Sequence, residues 1–170
     1  MQIFQINEQT LPMIAKLMST AKPEWWDYDG ALGQLSAPGT IGWYLAESRE
    51  KPQGWLLCNN LQLYRCLELE CMGYVENGSL VMGVQLQPLY EEAESWAGKS
   101  GYAVLRYTIS SNGMSCHGRA LGAYWEELRY LMPIAKPQFV WLQSTGYVPT
   151  GFMPNIYGHN HHGILMVKEL

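Results

Sequence analysis

Two carboxylates, Glu68 and Glu70, alternate with Leu67 and Leu69 in the stretch LYRCLELECMGYV. Successive side chains of an extended chain point to opposite faces. Strict alternation therefore sets both carboxylates on one side with Tyr64, Cys66 and Met72, and Leu63, Arg65, Leu67, Leu69 and Cys71 on the other. A carboxylate pair of this kind can take a proton from an amine, directly or through water, or can be a solvated, salt-bridged strand face. Cys116-His117 in NGMSCHGR brings together a thiol and an imidazole, the residue types of a nucleophile and its base. Adjacent residues rarely turn their side chains towards each other, and no Asn or Asp orienter is identifiable. A polar loop with turn residues Gly113 and Gly118 is therefore expected, with His117 or Arg119 as binding groups. In GHNHHG, His161 and His162 point oppositely if extended, so at most two of His159, His161 and His162 could chelate together. A solvated hairpin turn is expected there, with Tyr157 and His162 as candidate substrate contacts. Trp25-Trp26-Asp27-Tyr28-Asp29 joins aromatic faces to carboxylates, which suits a cationic amine. Two Trp capping a core beneath a loop would read the same way.

Composition narrows the classes. A chain of 170 residues is one domain on length alone, residues 1–170. Net charge is −4, without a basic stripe, so no nucleic-acid partner is expected. No run approaches the ~20 apolar residues of a membrane helix, so no membrane partner is expected either. The first residues, MQIFQINEQT, lack a basic and then apolar leader, and Cys58, Cys66, Cys71 and Cys116 lack CxxC spacing. Together these predict small buried thiols in a reducing cytoplasm and no metal. Seven Trp and eleven Tyr suit a tight core, an aromatic ligand cleft or a homodimer face.

The elements that must position these residues follow from periodicity. A strand is expected at 2–6 and a helix at 11–20, capped by Asn7 and Thr10, with Leu11, Ile14, Leu17 and Met18 as its apolar face. A second helix spans 28–35. Strands follow at 40–47, 54–58 and 61–75, with Asn59-Asn60 as a turn and Glu76-Asn77-Gly78 as a stop. Pro88 opens a helix whose buried stripe is Leu89, Ala93, Trp96 and Ala97. A strand at 102–110, the polar loop 112–118, an amphipathic helix at 119–131 and a short helix at 138–144 come next. In the 119–131 helix Leu121, Tyr124, Trp125, Leu128 and Leu131 are expected to pack. Two strands close the chain, the last at 163–168. Strands interleaved with helices give an α/β class.

Residues 141–170 read helix, Gly146-Tyr147-x-Pro149, strand, hairpin, and His162-Gly163-aliphatic-x-Met166-x-Lys168. This order resembles the C-terminal end of the GNAT superfamily, the acyl-CoA-dependent N-acyltransferases. WAGKSGYAVLRYTI resembles that family's exit from its central helix through Gly into a strand, and the element order agrees over the whole chain. The resemblance implies a twisted mixed sheet with helices on both faces. It implies acetyl-CoA as co-substrate, lying between strands 61–75 and 102–110, and a small-molecule amine or peptide N-terminus as acceptor. Backbone N–H groups at Cys71, Met72 and Gly73 would support the oxyanion. The family's Q/R-x-x-G-x-G/A pyrophosphate loop falls on residues 79–87, where Gly83 is the only glycine beside Val84 and Gln85. The family's acidic Tyr, four residues before the Gly-aromatic step, is Leu142 here, which passes that role to Tyr124 or Tyr147. Glu68 or Glu70 would be the base, and Trp25, Trp26, Tyr28 and His117 would border the acceptor. A second use of the same fold is a non-catalytic module that binds a ligand or partner in the cleft.

Overall fold

The computed structural model describes residues 1–81 and 84–170, without the side chain of Val84. They fall into two units, Met1–Ala103 and Val104–Leu170. The first unit runs β1 (Gln2–Gln5), α1 (Leu11–Ala21), α2 (Tyr28–Leu35), β2 (Thr40–Ala46), β3 (Pro52–Leu61), β4 (Cys66–Glu76), β5 (Ser79–Val81) and α3 (Gln87–Lys99). Its strands are antiparallel in chain order, with β5 folded back on β4.

Helix α1 is set by the apolar spacing of Ile14, Ala15 and Met18, all fully buried. Thr10 precedes it and does not cap it by side chain; Asn7 and Thr10 bond each other instead, Thr10 N donating to Asn7 Oδ1 at 3.2 Å. Asp27 caps α2 by accepting from Gly30 N at 2.7 Å. These two helices cover the face carrying Tyr44, Ala46, Trp55, Leu57 and Cys71. On the opposite face Trp43 of β2 meets Trp96 of α3 at 5.7 Å, so helices lie on both faces of this sheet, as expected. The buried residues of α3 are Leu89, Tyr90, Ala93 and Ala97. Trp96, expected in that stripe, is half-buried at its edge, against Trp43 and Tyr102.

Two corrections concern the β3–β4 hairpin. Asn59 and Asn60 do not turn; they stay in β3, and a 3₁₀ turn at Gln62–Tyr64 ends in left-handed Arg65, φ 48°. Asn60 is held there because its N–H bonds Gly39 O at 2.9 Å and its Oδ1 accepts from Tyr102 Oη at 2.7 Å. The long strand therefore begins at Cys66, not at residue 61. At its far end Asn77 and Gly78, φ 51° and 77°, make the two-residue turn into β5. β5 was not foreseen.

The second unit runs β6 (Val104–Ser110), α4 (Tyr124–Arg129), α5 (Pro137–Ser144), β7 (Val148–Gly158) and β8 (His161–Glu169). β8 pairs antiparallel with β6 on one side and β7 on the other. Leu105, Tyr107 and Ile109 alternate inward along β6, Tyr107 opposite Met166 and Ile109 opposite Ile164 of β8, and Phe139 and Leu142 of α5 are buried in the same unit. The helix expected over 119–131 is reduced to six residues with none buried; Tyr124 is 46% and Trp125 64% exposed, not packed. The reason is an ion pair. Arg119 holds Glu127 through both guanidinium nitrogens at 2.6 Å, and Glu127 also accepts from Gly122 N at 2.8 Å, which fixes residues 119–123 as an extended lead-in.

Candidate functional site

Strict alternation does not hold through the β4 carboxylates. Glu68 stands opposite Asn59 and Leu69 opposite Cys58, but Leu57 stands opposite Cys71. Glu70 is thus an extra residue on β4, a β-bulge. Past it the alternation inverts: Cys71 points with Leu57 into the core beneath α1 and α2, and Leu69 points the other way with Cys58. Glu68 is half-buried and Glu70 exposed. The strict period of two fails because the bulge is a property of the pairing with β3.

Cys71, Met72 and Gly73 are buried. Trp55 Nε1 donates to Cys71 Sγ at 3.3 Å, and burial pushes that thiol up to about 12. Met72 Sδ meets the hydroxyl of Tyr90. A Cβ on Gly73 would lie 2.6 Å from Trp55 Cη2 and 2.5 Å from Leu80 Cδ1, so glycine is required by packing. Only the backbone of this segment is left to face a ligand. Gln85 sits half-buried in a 3₁₀ turn at Val84–Leu86 that leads into α3, and no described side chain caps that helix. Gly83 lies outside the described residues, as does the side chain of Val84.

At the α1–α2 connection Trp26 is half-buried, stacked edge-on to Trp55 at 6.2 Å, with its indole N–H given to Gln34 at 2.7 Å. Trp25 is 61% exposed, with the Lys22 ammonium 5.1 Å from its ring centroid. Tyr28 is exposed beside it in sequence. Trp26 therefore serves the core, while Trp25 and Tyr28 keep free surface.

One gathering of chemistry-bearing side chains was not foreseen. It lies in the second unit, where β6 ends at Ser110-Ser111 and β8 begins at His161-His162. Ser110 Oγ stands 2.6 Å from His161 Nε2 and accepts from Asn112 N at 3.1 Å. Ser111 Oγ stands 3.2 Å from His117 Nδ1 and accepts from His162 N at 2.9 Å. The His117 and His161 rings meet edge-on at 4.9 Å, and Tyr157 flanks His161 at 5.3 Å. Partial desolvation, then His117, Lys136 and His162, hold His161 below its ordinary 6.5. Burial raises the Tyr157 phenol and lowers the Lys136 ammonium.

His162 has a different part. It is 1% exposed; Nε2 stands 2.8 Å from Arg119 O, and Nδ1 accepts from Asn155 N at 3.2 Å. A carbonyl only accepts and an amide N–H only donates, so Nε2 carries the hydrogen and both ring nitrogens are occupied. His162 pins the loop and is not a surface contact. Cys116 is fully buried and its thiol raised by that burial, while His117 turns to Ser111. The loop is a packed one, bridged by Met114 to Pro133, rather than a solvated one. Arg119 is committed to Glu127, and Tyr124 lies edge-on to Phe152 at 6.0 Å. Leu142, at the position of the family's acid, is core, as is Tyr147. Among the described residues no group of three or more His, Cys, Asp or Glu could hold a metal, and no helix is long and apolar enough to cross a membrane. A shallow pocket of about 250 Å³ lined by Gln62, Arg65, Ser100, Gly101 and Tyr102 includes none of the residues nominated from sequence.

No protein-family model matches the chain, and no curated protein matches it in sequence. Solved structures do match. An aminoglycoside 6'-N-acetyltransferase from Enterococcus faecium superposes with a TM-score of 0.79 at 14% identity, over 99% of this chain and 97% of that one. An aminoglycoside 6'-N-acetyltransferase complexed with coenzyme A gives 0.78 at 15%, again over 99% and 97%. The ribosomal-protein-S18-alanine N-acetyltransferase from Escherichia coli gives 0.65 at 14%, over 99% and 92%. At such identities the likeness is one of architecture, and over essentially its whole length this chain has the GNAT fold.

Proposed function

We propose that this chain transfers an acetyl group from acetyl-CoA to a primary amine, on a small molecule or a peptide N-terminus. The observation that carries this is the near-complete superposition on amine acetyltransferases, one of them holding coenzyme A. The residues present fit the co-substrate in two places. The N-terminus of α3 has no side-chain cap, and a helix N-terminus favours an anion such as a pyrophosphate, with Gln85 in the 3₁₀ turn before it. The bulge at Glu70 breaks the ladder just before Cys71, Met72 and Gly73, whose side chains are buried and whose N–H groups are the natural support for a thioester oxyanion.

Glu68 and Glu70 supply negative charge for an ammonium group, and the exposed faces of Trp25 and Tyr28, with Trp26 behind, suit the same cation. Thermal denaturation with acetyl-CoA tests the reading: at 100 times its dissociation constant it should stabilise the fold by about 2.7 kcal/mol. The absence of a shift with any CoA ester at millimolar concentration would refute it. Kanamycin, spermidine and an alanine-initiated peptide, assayed by released thiol, sample the acceptor classes.

A further inference from the structure

We propose that the pocket between the β3–β4 turn and the turn after α3 binds a small monocarboxylate, with the guanidinium of Arg65 as its anchor. The pocket lies wholly within the first unit and does not depend on the acetyl-transfer reading. Gln62 and Arg65 line it from one turn, and Ser100, Gly101 and Tyr102 from the other, around about 250 Å³. Two hydrogen bonds join the turns: Ala103 N donates to Arg65 O at 2.8 Å, and Arg65 Nε donates to Gly101 O at 3.1 Å. Tyr102, the buried member of the lining, is fixed as well. Its hydroxyl donates to Asn60 Oδ1 at 2.7 Å, and its ring lies against Trp96. The walls are thus tied by the fold's own contacts.

Arg65 stands in the left-handed region, φ 48°, where a Cβ is crowded and glycine or asparagine is the ordinary choice. The backbone alone does not call for arginine there; the side chain does. That side chain gives only Nε to the protein. Among the described residues its two terminal nitrogens hold no hydrogen bond, and neither do the Gln62 amide and the Ser100 hydroxyl. No carboxylate lines the pocket to neutralise the guanidinium. A guanidinium held at Nε keeps its terminal pair as a planar fork, which matches the two oxygens of a carboxylate. Gln62 and Ser100 add neutral donors beside it. Helix polarity selects the charge of the anion. Ser100 is the C-cap of α3, so the pocket sits at the negative end of that helix, which opposes a doubly charged phosphate more than a single charge. Size selects the rest: about 250 Å³ is below the roughly 300–1,000 Å³ of drug-sized sites, so the acid is a small one.

The test titrates the full chain at fixed ionic strength with propionate, a free acid, and with N-acetylalanine, which carries the carboxylate of a chain end. Propionamide and inorganic phosphate run beside them. The readout is the NMR shift of the Arg65 Nε–H and of the Ser100 and Gly101 amides. The expected result is a saturable shift with at least one of the two acids at millimolar concentration, the tighter acid telling a free acid from a chain end. Arg65→Gln should weaken that affinity by at least about tenfold, the loss typical of a charged hydrogen-bond donor. Arg65→Lys, which keeps the charge and loses the fork, should fall between that variant and wild type. Gln62→Ala, which leaves Arg65 and its turn in place, should cost about threefold. Arg49→Gln, at the Phe4 ring and outside the pocket, should bind as wild type does. Titrations that stay linear for both acids overturn the proposal, as does unchanged affinity in Arg65→Gln. Equal shifts with propionamide, or tighter binding of phosphate than of either acid, overturn it too.

Discussion

Ser110 Oγ and His161 Nε2 lie 2.6 Å apart although 51 residues separate them. The contact is made by strand register: Ser110 pairs with Gly163, which brings the start of β8 beside the end of β6. Ser110→Ala removes the hydroxyl that seats the ring and accepts Asn112 N–H. The expected effect is a stability loss of about 1 kcal/mol, and a further drop of the His161 titration midpoint, because the charged form loses its acceptor. Imidazole NMR across pH 4 to 8 reads this, and Ser110→Thr should restore the wild-type midpoint.

Gly73→Ala should destabilise by about 1–3 kcal/mol through overpacking. Its added methyl would meet Trp55 and Leu80 at 2.5–2.7 Å, on a face that α1 and α2 close from above. Gly98→Ala is the matched control: it lies in α3 with nothing within 4 Å of a Cβ, and should stabilise by up to about 1 kcal/mol. Urea denaturation of the two variants separates packing from helix propensity.

The Arg119–Glu127 pair gives a pH signature. Arg119 first, then Gly122 N–H, hold the Glu127 carboxyl down to about 2, against an ordinary 4.5. A depressed folded-state value means stabilisation that is fully present above about pH 4.5 and lost as pH falls towards 2. Because Arg119 is half exposed, the amount is about 1 kcal/mol or less. Glu127→Gln should flatten that part of the stability–pH curve and loosen residues 119–123, seen as faster amide exchange at Gly122.

Trp96→Ala should cost about 2 kcal/mol, less than the 3–5 typical of a fully buried Trp. The ring touches Trp43 and Tyr102 but keeps part of its surface in water. Thermal unfolding measures it; a loss near zero would mean those two ring contacts are not maintained.

The four cysteines are buried, and burial raises the thiols of Cys58, Cys71 and Cys116. Thiolate is the reactive form. Native protein should therefore react with a disulfide reagent slowly, and four thiols should appear on unfolding.

What the sequence determined by itself were the elements whose pattern is local. The apolar spacing of α1, Asn77-Gly78 after β4 and Pro88 at the head of α3 each act within one turn of the chain, and each stands where the pattern puts it. The cysteines, too, are buried small residues as their spacing suggested. The tertiary structure decided what depends on a distant partner. The bulge at Glu70 exists only against β3, so a period of two could not foretell that the alternation breaks between Glu68 and Cys71. Asn59-Asn60 has the composition of a turn but is kept in a strand by Gly39 and Tyr102. The helical stripe over 119–131 yields to one Arg–Glu pair. The Ser110–His161 contact needs β6 and β8 in register, a pairing between segments some fifty residues apart that neither segment's own sequence encodes. Propensity and capping energies act between neighbours along the chain, whereas a site of this kind is assembled by the ladder that joins them.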